Sequence, residues 1–531
     1  MKIVFAEKTS PAALDLFREE PHWKVITPEQ IDGKLPSEIV DADALIVRSA
    51  VQVNAGLLER AGKLRVIGRA GIGVDNIDLE AATRKGIAVM NTPGANAIAV
   101  AEHTFALMLA MTRQIPRANA TMHDGKWEKK SLQGRELRGK VLGIIGLGRI
   151  GMEVAKRALA FGMEVMAHDP FVATTAARSS GIKLAERQEV FAAADYLSLH
   201  VGLTPQTSGM INAEALAGMK RGVRIVNCAR GELIDEAALA VALQSGQVAG
   251  AALDVFTEEP PRNSPLLRFE NVILTPHIAG STYEAQEAVG YQIALQVKEY
   301  LKRGVIQNAV NVPSVSHDEY LEMQPYIVLA ERLGAFLAQA VEGNLEEISL
   351  RYSGAMAEWR TELIRNAAIA GILNNLASER SAANLVNAMS LAQERGVRIS
   401  ENKKSKTPTG GAANVLSVML KRSAGEVLLK GAVLHGKSPR LLAVDEIDIE
   451  APLEGNVIYL RNRDVPGVIG RVGTILGERS INIANFALGR AQQERGSSAI
   501  AVVQIDSRVS EEALNELRRV EAVTLAKAIA F

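Results

Sequence analysis

Apolar and polar positions along the first hundred residues fall into a repeating alternation. Ile3–Ala6, Ala44–Val47, Arg65–Ile67 and Ala88–Met90 are short apolar runs, and helically patterned stretches separate them. Runs apolar on both faces, each followed by a helix, predict a parallel sheet covered on both sides. Residues 102–111 are apolar on nearly every face, which predicts a helix buried between two domains. The pattern restarts near Gly139 and runs to about residue 285. Its predicted strands are Val141–Ile145, Glu164–Ala167, Tyr196–His200, Arg224–Asn227, Gly250–Asp254 and Val272–Leu274. Six strands with intervening helices suit a second doubly wound α/β unit.

After Asn308–Pro313 the character changes. In residues 314–450 one helix face gathers Leu329, Leu333, Phe336, Leu337 and Ala340, and residues 348–352 alternate as a strand does. Asn402–Gly411 is polar and basic, which predicts a loop. The last eighty residues predict strands at 457–460 and 499–505 and helices at 467–478 and 511–518, in the ferredoxin-like order strand–helix–strand–strand–helix–strand.

With 531 residues the chain exceeds a single core, and roughly three or four domains are expected. Lys+Arg and Asp+Glu both number 60, so charge gives no reason to expect nucleic acid or membrane binding. Aromatics at 4% leave little for base stacking. Cys228 alone cannot form an internal disulfide, which fits a reducing compartment. The N-terminus meets an acid at Glu7 and does not resemble a signal peptide, and no uncharged stretch approaches a membrane span. A cytoplasmic location is therefore expected.

The chemistry begins at Gly146-Leu147-Gly148-Arg149-Ile150-Gly151, a G-x-G-x-x-G directly after an apolar strand. Gly146 permits the tight turn, Gly148 lets backbone amides approach a pyrophosphate, and Gly151 lets the helix lie close to the sheet. The helix N-terminus offers free N–H groups to phosphates. The next strand ends in Asp169, where an acid grips a ribose 2′-hydroxyl and repels a 2′-phosphate, so NAD is expected over NADP. Three segments fall at later strand ends: Asn227-Cys228-Ala229-Arg230-Gly231, Asp254–Pro260 and Thr275–Gly280. Carboxyl ends of strands are where open α/β sheets bind ligands. The segments supply an Arg, an acid and a His. A guanidinium can hold a carboxylate and polarise a carbonyl. An imidazole can exchange a hydroxyl proton as hydride moves, and a nearby carboxylate favours its protonated form. Taken singly, Arg230, Glu259 and His277 also fit a surface ion pair, a turn and a core histidine. Behind a dinucleotide fold they fit a 2-hydroxy acid.

Together with Gly71-Ile72-Gly73-Val74-Asp75-Asn76-Ile77-Asp78, Ala252–Phe256 and Pro276-His277, these motifs resemble the D-2-hydroxyacid dehydrogenase family. Val47-Arg48-Ser49 and Gly68-Arg69-Ala70-Gly71 look like the substrate loops of the branch that oxidises 3-phospho-D-glycerate in serine biosynthesis. The resemblance spans roughly residues 1–310. It implies a catalytic trio of Arg230, Glu259 and His277. It implies NAD contacts by Gly146, Gly148, Arg149, Ile150, Gly151, Asp169, Val201, Cys228, Ala229, Arg230, Asp254, His277 and Gly280, and substrate contacts by Arg48, Arg69, Gly71 and Asn96. No metal site is expected.

The tail is similar to an ACT domain, a small-molecule sensor. Asp464-Val465-Pro466-Gly467 matches its first loop and Ser480–Ala484 its second strand. This implies L-serine as effector, with Asn462, Asp464, Gly467 and Asn482 in contact. Asn462 stands where the family often has a histidine. Lys403, Lys404 and Lys406 beside Gly410-Gly411 suit either an anion or a solvated loop. The expected organisation is a discontinuous substrate domain (1–98 and 287–310), a Rossmann domain for NAD (99–286), an intervening α+β domain (311–452) and the ACT domain (453–531), assembled as a homotetramer. The alternatives are a glyoxylate or hydroxypyruvate reductase, and a corepressor-like protein that senses dinucleotides without turnover.

Overall fold

The computed structural model describes every residue except 314, 316, 377–382, 407–412 and 492–496. Two parallel sheets form the N-terminal part. The first runs Lys24–Ile26, Lys2–Phe5, Ala44–Val47, Val66–Arg69, Ala88–Met90 from edge to edge. Helix Tyr283–Arg303 returns to cover it. Gly68 is glycine because a Cβ there would lie 2.8 Å from the side chains of Ile293 and Val297 on that helix. Lys298 pins the same helix by donating to Leu16 O (2.7 Å) and Glu19 (2.9 Å).

The second sheet has seven parallel strands in the order Val272–Leu274, Val248–Leu253, Val223–Asn227, Tyr196–Leu199, Val141–Ile145, Glu164–His168, Lys183–Leu184. Strand order reverses beside Val141–Ile145, and this switch point opens a crevice at the carboxyl ends. Helix Ala97–Arg113 packs on the second sheet and on helix Arg149–Ala160, and leaves Ile98, Glu102, Ala106 and Arg113 exposed along one face, where the sequence reading expected burial between two domains.

A six-stranded sheet follows, ordered Arg398–Lys404, Leu345–Gly354, Asn414–Arg422, Gly425–Leu434, Ser438–Val444, Ile447–Pro452, with only the first pair parallel. Long helix His317–Ala340 packs on it, and Leu329, Leu333, Phe336 and Leu337 on its predicted face are fully buried. The C-terminal sheet runs Ile483–Arg490, Ser498–Ile505, Asn456–Arg463, Val523–Ala530, antiparallel throughout. Helices Val468–Glu478 and Glu511–Arg519 bury Val472, Leu476, Leu514 and Leu517 against one face. The other face meets the long helix, where the Phe336 and Tyr459 rings stand 5.2 Å apart.

Three more elements depart from the sequence reading. Lys24–Ile26 and Lys183–Leu184 are short edge strands whose half-exposed residues carry little apolar signal. The loop predicted over 402–411 is in part a strand, because Asn402–Lys404 pairs in parallel with Arg351–Ser353. An edge strand exposed along almost its whole length can be polar at every position. Lys403 donates to Trp359 O at 2.8 Å there. Gly410 and Gly411 lie outside the described residues. Among the described residues no helix is long and apolar enough to cross a membrane.

Candidate active site

The glycine-rich turn is built as its spacing requires. Gly146 sits at φ 92°, where L side chains are strained. A Cβ on it would also meet His200 O at 2.6 Å and the Val201 side chain at 2.7 Å. A Cβ on Gly151 would lie 2.1 Å from Gly146 O, so helix Arg149–Ala160 starts directly against the turn. At Gly148 a Cβ would meet nothing within 4 Å, and the residue caps the helix without a side-chain acceptor. This open, uncapped helix start is a cradle that fits a pyrophosphate. Asp169 stands at its mouth, with Oδ2 accepting from Leu147 N at 2.7 Å and Oδ1 from Phe171 N at 2.8 Å. Arg149 lies across Gly94, whose φ of 95° leaves room for it. Ile150, Val201, Cys228 and Ala229 are partly buried around the same crevice. Burial pushes the Cys228 thiol up to about 12, so it is a neutral thiol and no nucleophile.

Across the crevice, Arg230 leaves the end of strand Val223–Asn227. Asn227 shapes the turn by donating to Arg230 O at 2.7 Å and accepting from Ala229 N at 3.0 Å. The Arg230 guanidinium reaches the first unit, with Nε and Nη2 at 3.1 and 3.0 Å from Asp75 Oδ2. A Cβ on Gly73 would lie 2.0 Å from Arg230 Nη2, so the guanidinium runs directly over that residue. His277 and Glu259 form a pair, Nδ1 to Oε2 at 2.7 Å, while Glu259 Oε1 accepts from Phe256 N at 3.2 Å. The hydrogen bond that His277 donates to Glu259 raises the pKa of His277 above the ordinary imidazole value. Burial opposes this, and the charges of Glu259 and Asp254 reinforce it. Burial pushes the Glu259 carboxyl up, yet the hydrogen bond and charge of His277 outweigh it and leave the pKa below the usual range.

The predicted substrate residues line the carboxyl edge of the first sheet. Glu7 accepts from the Arg48 backbone at 2.6 Å, and Arg48 Nη1 lies 3.4 Å from Lys8 O. Arg69 folds back over Gly71, at φ 144°, where a Cβ would sit 1.5 Å from Arg69 Nη1. Nη1 of Arg69 donates to Ala70 O at 3.2 Å, while its Nε is buried without a partner. Burial lowers the Arg69 pKa, and the positive charges of Arg230 and Arg48 add to that against Asp75 and Glu7. The three guanidiniums lie within electrostatic reach of one another, and one has an unpaired buried N–H. Asn96 opens helix Ala97–Arg113 with its Oδ1 buried and unpartnered, and its Nδ2 lies 2.8 Å from where a Gly280 Cβ would be.

Two of the expected contacts are engaged in the protein's own hydrogen bonds. Asp254, read as a cofactor contact, is fully buried, and its carboxylate accepts from Thr275, Ile278 and Ala279. Three donors on the 275–279 segment, with His103 beside Oδ1, hold that carboxylate in place. Asn462, read as an effector contact, is 6% exposed and donates to Arg463 O at 2.9 Å. Of the other effector residues, Asp464 pairs with Arg490 at 3.3 Å, Asn482 donates to Asp506 at 2.6 Å, and Gly467 caps its helix at φ 92°. The sequence reading passed over Glu7, Asp75, His103 and Thr275 as working residues. Asp75 lay inside the Gly71–Asp78 motif and was recoverable. Glu7 and His103 carry no local signal, since their partners are 41 and more residues away.

Fold and site together define a nicotinamide-dependent dehydrogenase acting on 2-hydroxy acids. Residues 105–279 match the D-isomer specific 2-hydroxyacid dehydrogenase NAD binding domain, 322–445 the D-3-phosphoglycerate dehydrogenase intervening domain, and 456–522 the ACT domain. The chain is 42% identical over 521 residues to D-3-phosphoglycerate dehydrogenase of Methanocaldococcus jannaschii, covering 98% of each. It is 37% identical over 528 residues to that of Bacillus subtilis, covering 99% of each. Among solved structures, the D-lactate dehydrogenase of Aquifex aeolicus complexed with NAD and lactic acid is 29% identical. It aligns with a TM-score of 0.52 over 59% of this chain and all of its own. A glyoxylate reductase from Paecilomyes thermophila is 32% identical, with a TM-score of 0.53 over 58% of this chain and 98% of its own. The chain belongs to the D-3-phosphoglycerate dehydrogenase family.

Proposed function

We propose that the chain oxidises 3-phospho-D-glycerate to 3-phosphooxypyruvate with NAD, the first step of L-serine biosynthesis. The observation that carries this reading is the His277–Glu259 pair at 2.7 Å, set beside Arg230 at a crevice edge that also holds Arg48 and Arg69. NAD, when bound, supplies the acceptor for the hydride on C2. Gly146, Gly148, Arg149, Ile150, Gly151 and Asp169 would hold it, with Val201, Cys228, Ala229 and Gly280 as neighbours.

The rest of the chemistry belongs to the protein. With Nδ1–H of His277 committed to Glu259, Nε2 carries the lone pair and takes the C2 hydroxyl proton. Glu259 stabilises the imidazolium that results. Arg230 binds the C1 carboxylate and polarises the C2 oxygen, releasing Asp75 to solvent. Arg48 and Arg69 take the phosphate, with Gly71 and Asn96 shaping the pocket. In the reverse direction His277 returns the proton.

The C-terminal unit is the L-serine sensor, through Asp464, Gly467 and Asn482. The assembly is a homotetramer in the cytoplasm. The test is NADH formation by the purified chain with 3-phospho-D-glycerate, with and without L-serine. Turnover that serine suppresses is the expected result. NADH binding without turnover on any 2-hydroxy acid would favour a dinucleotide sensor instead.

A further inference from the structure

Behind His277 lies a second cluster, with no part in the proton transfer described above. Asp254 follows strand Val248–Leu253 and is fully buried. Its Oδ1 accepts from Thr275 Oγ1 at 2.5 Å and Ile278 N at 2.9 Å, and its Oδ2 from Ala279 N at 2.8 Å. Its backbone oxygen accepts from His277 N at 2.9 Å. Four hydrogen bonds thus tie the segment 275–279 to one residue. That segment holds His277 at φ 53°, a left-handed conformation that a non-glycine residue keeps only when its surroundings impose it.

His103 completes the cluster from another element. Its Nε2 lies 3.2 Å from Thr275 Oγ1 and 3.4 Å from Asp254 Oδ1. The Thr275 proton goes to the Asp254 carboxylate, so Thr275 Oγ1 is the acceptor toward His103, and His103 carries its proton on Nε2. Helix Ala97–Arg113 bears His103 and opens at Asn96, which packs against Gly280. This helix therefore meets both ends of the catalytic segment, Thr275 through His103 and Gly280 through Asn96.

We propose that His103 is a positioning residue for the proposed reaction. Its N–H anchors Asp254 and Thr275 so that the 275–279 segment presents the His277 imidazole to Glu259 and to the substrate. The inference rests on the proposed dehydrogenase function.

The electrostatics agree in sign. Burial pushes the Asp254 carboxyl up, but hydrogen bonds from His103, Thr275, Ile278 and Ala279 outweigh it and keep it ionised. The charged or titratable groups facing Asp254 are His103, His277, Glu259 and Cys228. The Asp254 charge raises the His277 pKa, and Arg230 lowers it. Removing the His103 N–H leaves more of the Asp254 charge uncompensated, so the His277 pKa moves up.

The experiment uses the full chain and its His103→Ala and His103→Gln variants. It records kcat and KM in both directions, the pH profile of 3-phospho-D-glycerate oxidation, NADH affinity and thermal melting. For His103→Ala the expectation is a fall in kcat on the order of 10- to 100-fold, the scale of catalytic-group misplacement. KM for 3-phosphooxypyruvate should stay nearly unchanged, and the acid limb of the oxidation profile should move to higher pH. His103→Gln, which keeps an N–H donor, should recover part of kcat. Unchanged kcat and an unmoved acid limb in His103→Ala would overturn the inference, whether or not the melting temperature falls. A wild-type chain that turns over neither substrate would sink the proposed function and this inference with it. Wild-type turnover with a silent His103→Ala sinks the inference alone.

Discussion

Glu259→Gln keeps the shape of the side chain and removes its charge, which isolates what the carboxylate does for His277. The two groups meet at 2.7 Å, with His277 52% and Glu259 38% exposed. A charge-assisted hydrogen bond contributes roughly 1.5–3 kcal/mol, and screening at this exposure trims it to about 1–2 kcal/mol. If the imidazolium that Glu259 stabilises resembles the transition state, the loss lowers kcat by roughly 5- to 30-fold. The pH dependence gives a sharper signature. Glu259 raises the His277 pKa, so its removal lets that pKa fall toward the ordinary value. Oxidation needs neutral His277, and the acid limb of its kcat/KM profile should therefore move to lower pH. Reduction needs the imidazolium, and its activity should be lost at lower pH than in the wild type. Initial rates across pH in both directions, with NADH absorbance as readout, test this. Limbs that stay in place, or that move up, would refute the assignment of His277 as proton carrier and Glu259 as its partner.

Other consequences follow from the same geometry. Gly151→Ala would place a Cβ 2.1 Å from Gly146 O, an overpacking that costs about 1–3 kcal/mol; NADH titration should show weakened binding, and calorimetry a lower melting temperature. Arg69→Lys keeps a cation but loses the planar fork, so kcat/KM should fall further for 3-phosphooxypyruvate than for hydroxypyruvate. Equal losses on both would remove Arg69 from the phosphate site. Asn482→Ala removes a side chain that donates to Asp506 at 2.6 Å. The serine concentration for half-inhibition should rise by about tenfold, as loss of one hydrogen bond to the effector implies.

Much of this molecule was legible in its sequence because the strands of both parallel sheets are buried on two faces. Ala44–Val47 and Ala88–Met90 emerged with the predicted limits for that reason. The glycine-rich turn was equally legible, since Gly146 and Gly151 are fixed by backbone conformation and close approach, which few other residue types tolerate. What escaped was set by solvent or by distance along the chain. The edge strand Arg398–Lys404 is too exposed to need apolar residues, so its lysines read as a loop. Asp254 was legible at its strand end, but the three donors that hold its carboxylate come from a segment more than twenty residues later. His103 carried no local signal, and only the fold brings Thr275 and Asp254 to it.

The most direct test of the central claim is the ratio of kcat/KM for 3-phosphooxypyruvate to that for hydroxypyruvate, measured by NADH oxidation with the wild-type chain. A phosphate subsite of Arg48 and Arg69 leaves the buried Nε of Arg69 unpaired when the phosphate is absent. The ratio should therefore exceed about 10³, a lower bound set beneath the roughly 10⁴–10⁵ of sites built to hydrogen-bond the missing group. A ratio near one, or in favour of hydroxypyruvate, would contradict the account and place the chain with the reductases.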